Sequence, residues 1–167
     1  MAQLPEHALF GQLHPDSNSI NIIVKHLSGN MLSRWTDFLT SDGEKDWRQR
    51  EGEFFNDVQS KSELLEIWDR GWACLFQALD DLNIEDLNKE IFIRNQGHTV
   101  IQAINRQLAH YPYHIGQIVF IGKMVMGANW KSLSIPRGNS EVYNSNKFAQ
   151  PRHTEHFTNN HSHHSAS

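Results

Sequence analysis

Between Thr99 and Gly127 the chain reads TVIQAINRQLAHYPYHIGQIVFIGKMVMG, its longest run of apolar periodicity. Wound at about 100° per residue, Val100, Ile101, Ile104, Leu108, Ile115, Ile118, Val119 and Ile121 spread around the wheel, which predicts a helix buried on nearly every side. One stripe departs from that pattern. Arg106, Gln107, His110, His114 and Gln117 fall within about 100° of one another. Buried polar groups are costly unless they are paired or bind something. His110 and His114 lie one turn apart, so both imidazoles leave the same face and can reach one metal ion. Thr99-x-x-Gln102 fits a capping box at the start of this helix. Pro112, between the two histidines, removes one i→i−4 hydrogen bond and predicts a kink or a widened turn.

The remainder of the chain reads as elements packed around that stripe. Met1 to Asn18 is short and turn-rich, with room for a little helix near Glu6 to Phe10. Ser19 to Thr40 is a strong helix, with Ile20, Ile23, Val24, Leu27, Met31, Trp35 and Phe38 on one stripe and His26 and Asn30 at its edge. Glu44 to Gln59 reads as a long loop, of a length that is usually functional or packed over something. Ser60-x-x-Glu63 is a second capping box, opening a helix to about Leu82. Asn83 to Lys89 is a connector with one helical turn, and Glu90 to Asn95 alternates weakly as a short extended segment. After Gly127, Trp130, Leu133 and Ile135 are expected to pin the chain against the bundle. These elements make a domain over residues 1–140. From Glu141 the composition turns to Asn, Ser and His, with His153, His156, His161, His163 and His164, and a disordered tail is expected over residues 141–167.

Composition narrows the function classes. The 167 residues suffice for one domain with a core. A net charge of −4 offers no basic surface for nucleic acid. No run of about 18 apolar residues could span a membrane, and the N-terminus lacks a signal pattern, so a cytoplasmic location is expected. The single cysteine, Cys74, sits in an apolar helix as a small core residue. Eleven histidines are many for this length, and their placement carries the argument.

An i, i+4 histidine pair is by itself a weak signal. It is not the HExxH motif, since Tyr111 stands where that motif has its glutamate. A third ligand must come from elsewhere, and His26, bordering the apolar face of another long helix, is the best candidate. His98 lies about three turns from His110, too far along the axis.

Taken together, His26-Leu27-Ser28-Gly29-Asn30 and His110-x-x-x-His114-x-Gly116-Gln117-Ile118 closely resemble the DinB/YfiT-like superfamily of bacterial metalloenzymes, in a subfamily of unknown function. That subfamily also carries stretches like SRWTDFLTSDGEK (Ser33 to Lys45) and WKSLSIPRG (Trp130 to Gly138), and the resemblance covers roughly Ser17 to Ser140. It implies an all-α fold, a four-helix bundle in up-down-down-up order. It also implies a metal triad of one histidine from the second helix and two from the fourth, carried by motif onto His26, His110 and His114. Only about 18 turn-rich residues precede the matching segment, so the first helix is expected to be truncated or absent. The apolar surface thereby exposed, at about 25 cal/mol per Å², predicts poor stability or compensation by a homodimer.

Three neutral imidazoles leave coordination positions open, for a water made nucleophilic near neutral pH or for a thiolate. The ion could be Zn, Ni, Fe or Mn. The resemblance favours a divalent-metal-dependent transferase acting with a low-molecular-weight thiol of the bacillithiol type. A metal-dependent hydrolase and a non-catalytic, metal-stabilised stress-response module are the alternatives. Asn30, Arg106 and Gln117 are the residues expected to orient a small-molecule substrate, or else to hydrogen-bond the ligands themselves.

Overall fold

A computed structural model of the chain describes residues 1–154. It is mostly helical, with a small two-stranded sheet. The chain divides into two compact units, Met1–Trp130 and a second from Lys131. In the first, α1 (Glu6–Phe10), α2 (Ile20–Trp35), α3 (Lys61–Asp80) and α4 (Val100–Met126) are joined by short 3-10 helices at Arg50–Phe54 and Ile84–Asn88 and by the hairpin β1 (Glu90–Ile93) and β2 (Gln96–Thr99). In the second, α5 spans Ser140–Phe148. No helix among the described residues is long and apolar enough to cross a membrane.

The central helix is α2 and not α4. Twelve of the sixteen residues of α2 are buried, including the polar Asn21, Ser28, Asn30, Ser33 and Arg34. By contrast only six of the 27 residues of α4 are buried. The expectation that α4 is buried all round is therefore corrected: Ile101, Leu108, Tyr113, Phe120 and Met124 are exposed. Hydropathy counts apolar residues without knowing how many neighbours a helix has. Helix α2 is covered by α1, α3, α4 and the Arg50–Phe54 turn, so its serines and asparagines are buried with its isoleucines.

Each start and stop has a local cause. Ser19 caps α2 by accepting from the Ile22 N–H at 3.2 Å, and Ser60 caps α3 through Glu63 N–H. Both halves of the Thr99/Gln102 capping box form at the start of α4. Helix α2 ends at Trp35, short of the expected Thr40, because Asp37 takes a left-handed φ of 48° and its carbonyl accepts the N–H groups of Thr40 and Ser41. Helix α4 is continuous through Pro112. The proline lies on the exposed side, so water can serve the Leu108 carbonyl that it leaves without an N–H.

The extended segment expected at Glu90–Asn95 is half of a hairpin whose second strand the sequence reading did not identify. Arg94 and Asn95 turn it with φ of 54° and 60°, the left-handed pair of a type I′ turn. The Asp42 carboxylate accepts their N–H groups, each at 2.8 Å, together with that of Glu44 at 2.7 Å. Some desolvation opposes the charge, but these three bonds outweigh it and hold the Asp42 carboxyl below its ordinary value. The hairpin leads directly into the Thr99 cap, so Asp42 ties the end of α2 to the start of α4.

The N-terminal segment is folded onto the core through Leu4, Ala8 and Leu9, all buried. Lys61 fixes it by donating from Nζ to the Ala2 and Leu4 carbonyls, and Glu6 accepts the Lys61 N–H. Trp130 packs against the core, whereas Leu133 and Ile135 are exposed. The segment expected to be disordered from Glu141 is helical as far as Phe148, with every residue exposed. Lys147 stands 6.0 Å over the Tyr143 ring, an i, i+4 pair that favours the helix. His153 is described; His156, His161, His163 and His164 lie outside the described residues.

Helices α2 and α3 meet where α3 has no side chain: a Cβ on Gly71 would fall 2.8 Å from the Ser28 backbone. Gly71→Ala is expected to destabilise the protein by about 1–3 kcal/mol in urea unfolding, through overpacking. Gly116, with open space around its α-carbon, is the internal control. Its change to Ala should be neutral or stabilise by up to about 1 kcal/mol.

Candidate metal centre

One turn of α2 and two of α4 bring His26, His110 and His114 together, with one ligand nitrogen from each lying within 4.8 Å of the others. The ring centroids are 4.9 Å apart for His110 and His114, 5.0 Å for His26 and His114, and 5.6 Å for His26 and His110. The helices are registered there by a buried chain of hydrogen bonds. Trp35 Nε1 donates to the Tyr111 hydroxyl at 3.0 Å, and that hydroxyl donates to Asn30 Oδ1 at 3.1 Å. Burial pushes the Tyr111 phenol above its ordinary value, so it stays a donor.

Each imidazole is held through Nδ1 by an oxygen. Glu53 takes His26 at 2.9 Å, Gln107 takes His110 at 3.3 Å and Gln117 takes His114 at 2.8 Å. An oxygen acceptor requires the proton on Nδ1, and in a neutral ring this leaves Nε2 as a bare lone pair, the form that binds metal. His110 Nε2 and His114 Nε2 face each other at 3.2 Å. Two lone pairs at that separation need a cation or a proton between them. The proton is disfavoured: burial first, then the charges of His114, His26, Arg34 and Arg106, pushes His110 down to about 4. His114 is also held below its ordinary value, chiefly by burial. The donor set therefore fits a divalent ion with three neutral nitrogens and open positions.

Glu53 has its own support. Arg48 donates from Nε to Oε1 at 2.8 Å and from Nη2 to Oε2 at 3.0 Å. Burial works against the carboxylate, but the bonds from His26 and Arg48 prevail and hold it below its ordinary value. The residue enters on the Arg50–Phe54 turn and presses against α2 at Gly29, where a Cβ would fall 2.8 Å from its carboxyl carbon. This gives the glycine three places after His26 a steric reason. Lys25 secures the same turn, donating from Nζ to the Gly52 and Phe55 carbonyls and to Asp57. Phe54 stacks on His26 with centroids 6.0 Å apart.

The three residues expected to orient a substrate are placed differently from one another. Gln117 is a partner of His114, so its carbonyl oxygen is already engaged. Asn30 is buried and receives the Tyr111 hydroxyl. Arg106 is exposed beside His110 and lines, with Asn30, a cavity next to the triad. The sequence reading did not pick out Glu53 or Arg48. Both lie in the segment read as a loop, where only its length hinted at a role. His98 lies in β2, outside the cluster.

A family model described as a protein of unknown function, DUF1572, matches residues 1–139. No curated protein and no solved structure matches the chain.

Two outcomes follow from this geometry. Gly29→Ala and Glu53→Gln leave all three histidines in place but disturb what orients His26, and each should weaken metal affinity by about 10–100-fold in a chelator competition. The second concerns the metal-free protein. Unfolded, His110 and His114 titrate near 6.5; folded, both titrate lower, His110 at about 4. Between those values the unfolded chain binds protons that the folded chain does not. The histidine contribution is thus complete above pH 6.5, falls as pH drops through the window and levels off below about 4. Denaturant midpoints at pH 7, 5.5 and 4.5 should decline in that order, less steeply in His110→Phe.

Proposed function

The chain belongs to the DUF1572 family, a DinB-like family, and we propose that it is a divalent-metal-dependent transferase that acts with a low-molecular-weight thiol such as bacillithiol. The observation that carries the reading is the set of three imidazoles, each fixed through Nδ1, with their ligand nitrogens within 4.8 Å. We read α1 to α4 as the up-down-down-up bundle of the superfamily. The exposed apolar side chains of α4 are the surface a homodimer would cover. A cytoplasmic setting, where small thiols are reduced, suits a chain with one free cysteine.

An ion of Zn, Ni, Fe or Mn held there supplies a Lewis acid able to lower the pKa of a thiol or water. The chain's own residues do the rest. Glu53, Gln107 and Gln117 keep the imidazoles in the tautomer that offers Nε2, and Phe54 shields His26 from water on one face. Asn30 and Arg106 border the open side, where a substrate would approach.

The test is elemental analysis followed by turnover. A chain ending at Ser140, which removes the tail histidines, should carry about one metal ion; His26→Ala and the double variant His110→Ala/His114→Ala should carry almost none. The metal-loaded parent should consume an alkyl halide only when a thiol is present, and His114→Ala should not. Consumption without thiol would transfer the assignment to a hydrolase. A folded parent with no metal would overturn the metal-dependent reading.

A further inference from the structure

The cavity beside the triad has a volume of about 260 Å³, with His26 and His110 on one wall and five arginines, Arg34, Arg48, Arg50, Arg94 and Arg106, around it. Three of these have carboxylate partners. Arg48 pairs with Glu53 at 2.8 Å and Glu44 at 3.4 Å, Arg94 with Glu44 at 3.2 Å, and Arg50 with Glu51 at 3.0 Å. Arg34 and Arg106 have none among the described residues. The cavity therefore keeps two guanidinium groups that no carboxylate contacts.

Arg34 is the unusual one. It is only 5% exposed, and its Nε and Nη1 find no hydrogen-bond partner. A buried guanidinium whose N–H groups meet no acceptor is costly, and a fold under no other demand would replace it with an apolar residue of similar volume. Burial first, then the charge of Arg106, lowers its proton affinity, and Tyr111 and Glu44 offset this only in part. Asn30 borders the same space, and its side-chain NH2 has no partner among the described residues while its Oδ1 is taken by Tyr111. Donors are in excess and acceptors are missing. An oxyanion between the two arginines would neutralise both and could accept from Arg34 in the forked geometry that guanidinium groups favour.

We propose that this cavity is an oxyanion subsite in which Arg34 and Arg106 bind a phosphate or carboxylate group of the substrate, presenting the rest of that molecule toward His26 and His110. The subsite itself stands on the unpaired arginines; only the direction in which the substrate is presented rests on the metal-dependent reading above. The volume admits one anionic group and a few further atoms, which makes the substrate a small acid or a molecule anchored by one acidic end.

The experiment is calorimetric titration of the full chain, metal-free and metal-loaded, with inorganic phosphate and separately with malonate at fixed ionic strength. One saturable site for at least one of the two is expected in both forms, and the preferred anion names the group. In Arg106→Gln, an exposed change, affinity should fall about tenfold or more with metal content unaltered. Arg34→Met should lose affinity to a similar degree and melt at or above the parent temperature, since it removes an unpaired buried charge. Where Arg34→Met does not fold, Arg106→Gln decides. No saturable binding in the folded metal-free parent, or undiminished affinity in Arg106→Gln, overturns the subsite. Anion binding by a chain that takes up no metal would sustain the subsite and overturn the metal reading; metal uptake without anion binding would do the reverse.

Discussion

The bond between Glu53 and His26 Nδ1 is the contact on which the triad depends, because it joins the one histidine that α4 does not carry to a charge buried in the loop. A carboxylate with 8% of its side chain exposed is stable there because His26 donates to it and Arg48 meets both of its oxygens. Ionised, Glu53 can only accept, so His26 carries a proton on Nδ1 and, in a neutral ring, the lone pair is on Nε2. Gln107 and Gln117 impose the same tautomer on α4 at shorter sequence range, each three residues from its histidine. Three tautomers are thus set by three oxygens, and the helices need only hold the rings in register.

That register is not achieved by apolar packing alone. Trp35, Tyr111 and Asn30 form a directional link between α2 and α4, and Asp42 fixes the turn that leads into α4. Polar residues occupy much of the most buried helix, where larger apolar side chains would pack more favourably. The close approach of α3 at Gly71 and of Glu53 at Gly29 shows how little free space α2 has. The fold has concentrated its directional bonds on the helix that bears His26, and this gives a single arrangement where an apolar helix could slide or rotate.

Much of this was legible in the sequence where the signals are local. The i, i+4 spacing of His110 and His114 places them on one face whatever surrounds them, and the Ser60 and Thr99 caps are set by residues three apart. His26 was nominated from its position at the edge of an apolar stripe. What was not legible is non-local. Nothing in the residues around Glu53 indicates that it reaches His26, 27 positions earlier, because the contact is made by the path of a loop. The burial of α2 and the exposure of half of α4 depend on the number of neighbours each helix acquires, which apolar periodicity does not encode. The second hairpin strand, QGHT, has no alternating pattern and exists because Asp42 stabilises a left-handed turn at Arg94 and Asn95.

The three histidines are not equally secured in time. His110 and His114 have their orienting glutamines on the same helix, so those pairs persist as long as α4 does. His26 is oriented from a 3-10 turn held largely by Lys25 and Arg48, outside both helices that carry the histidines. Two of the three rings are thus aimed by contacts within one helix, and the third by a contact that spans 27 positions of the chain.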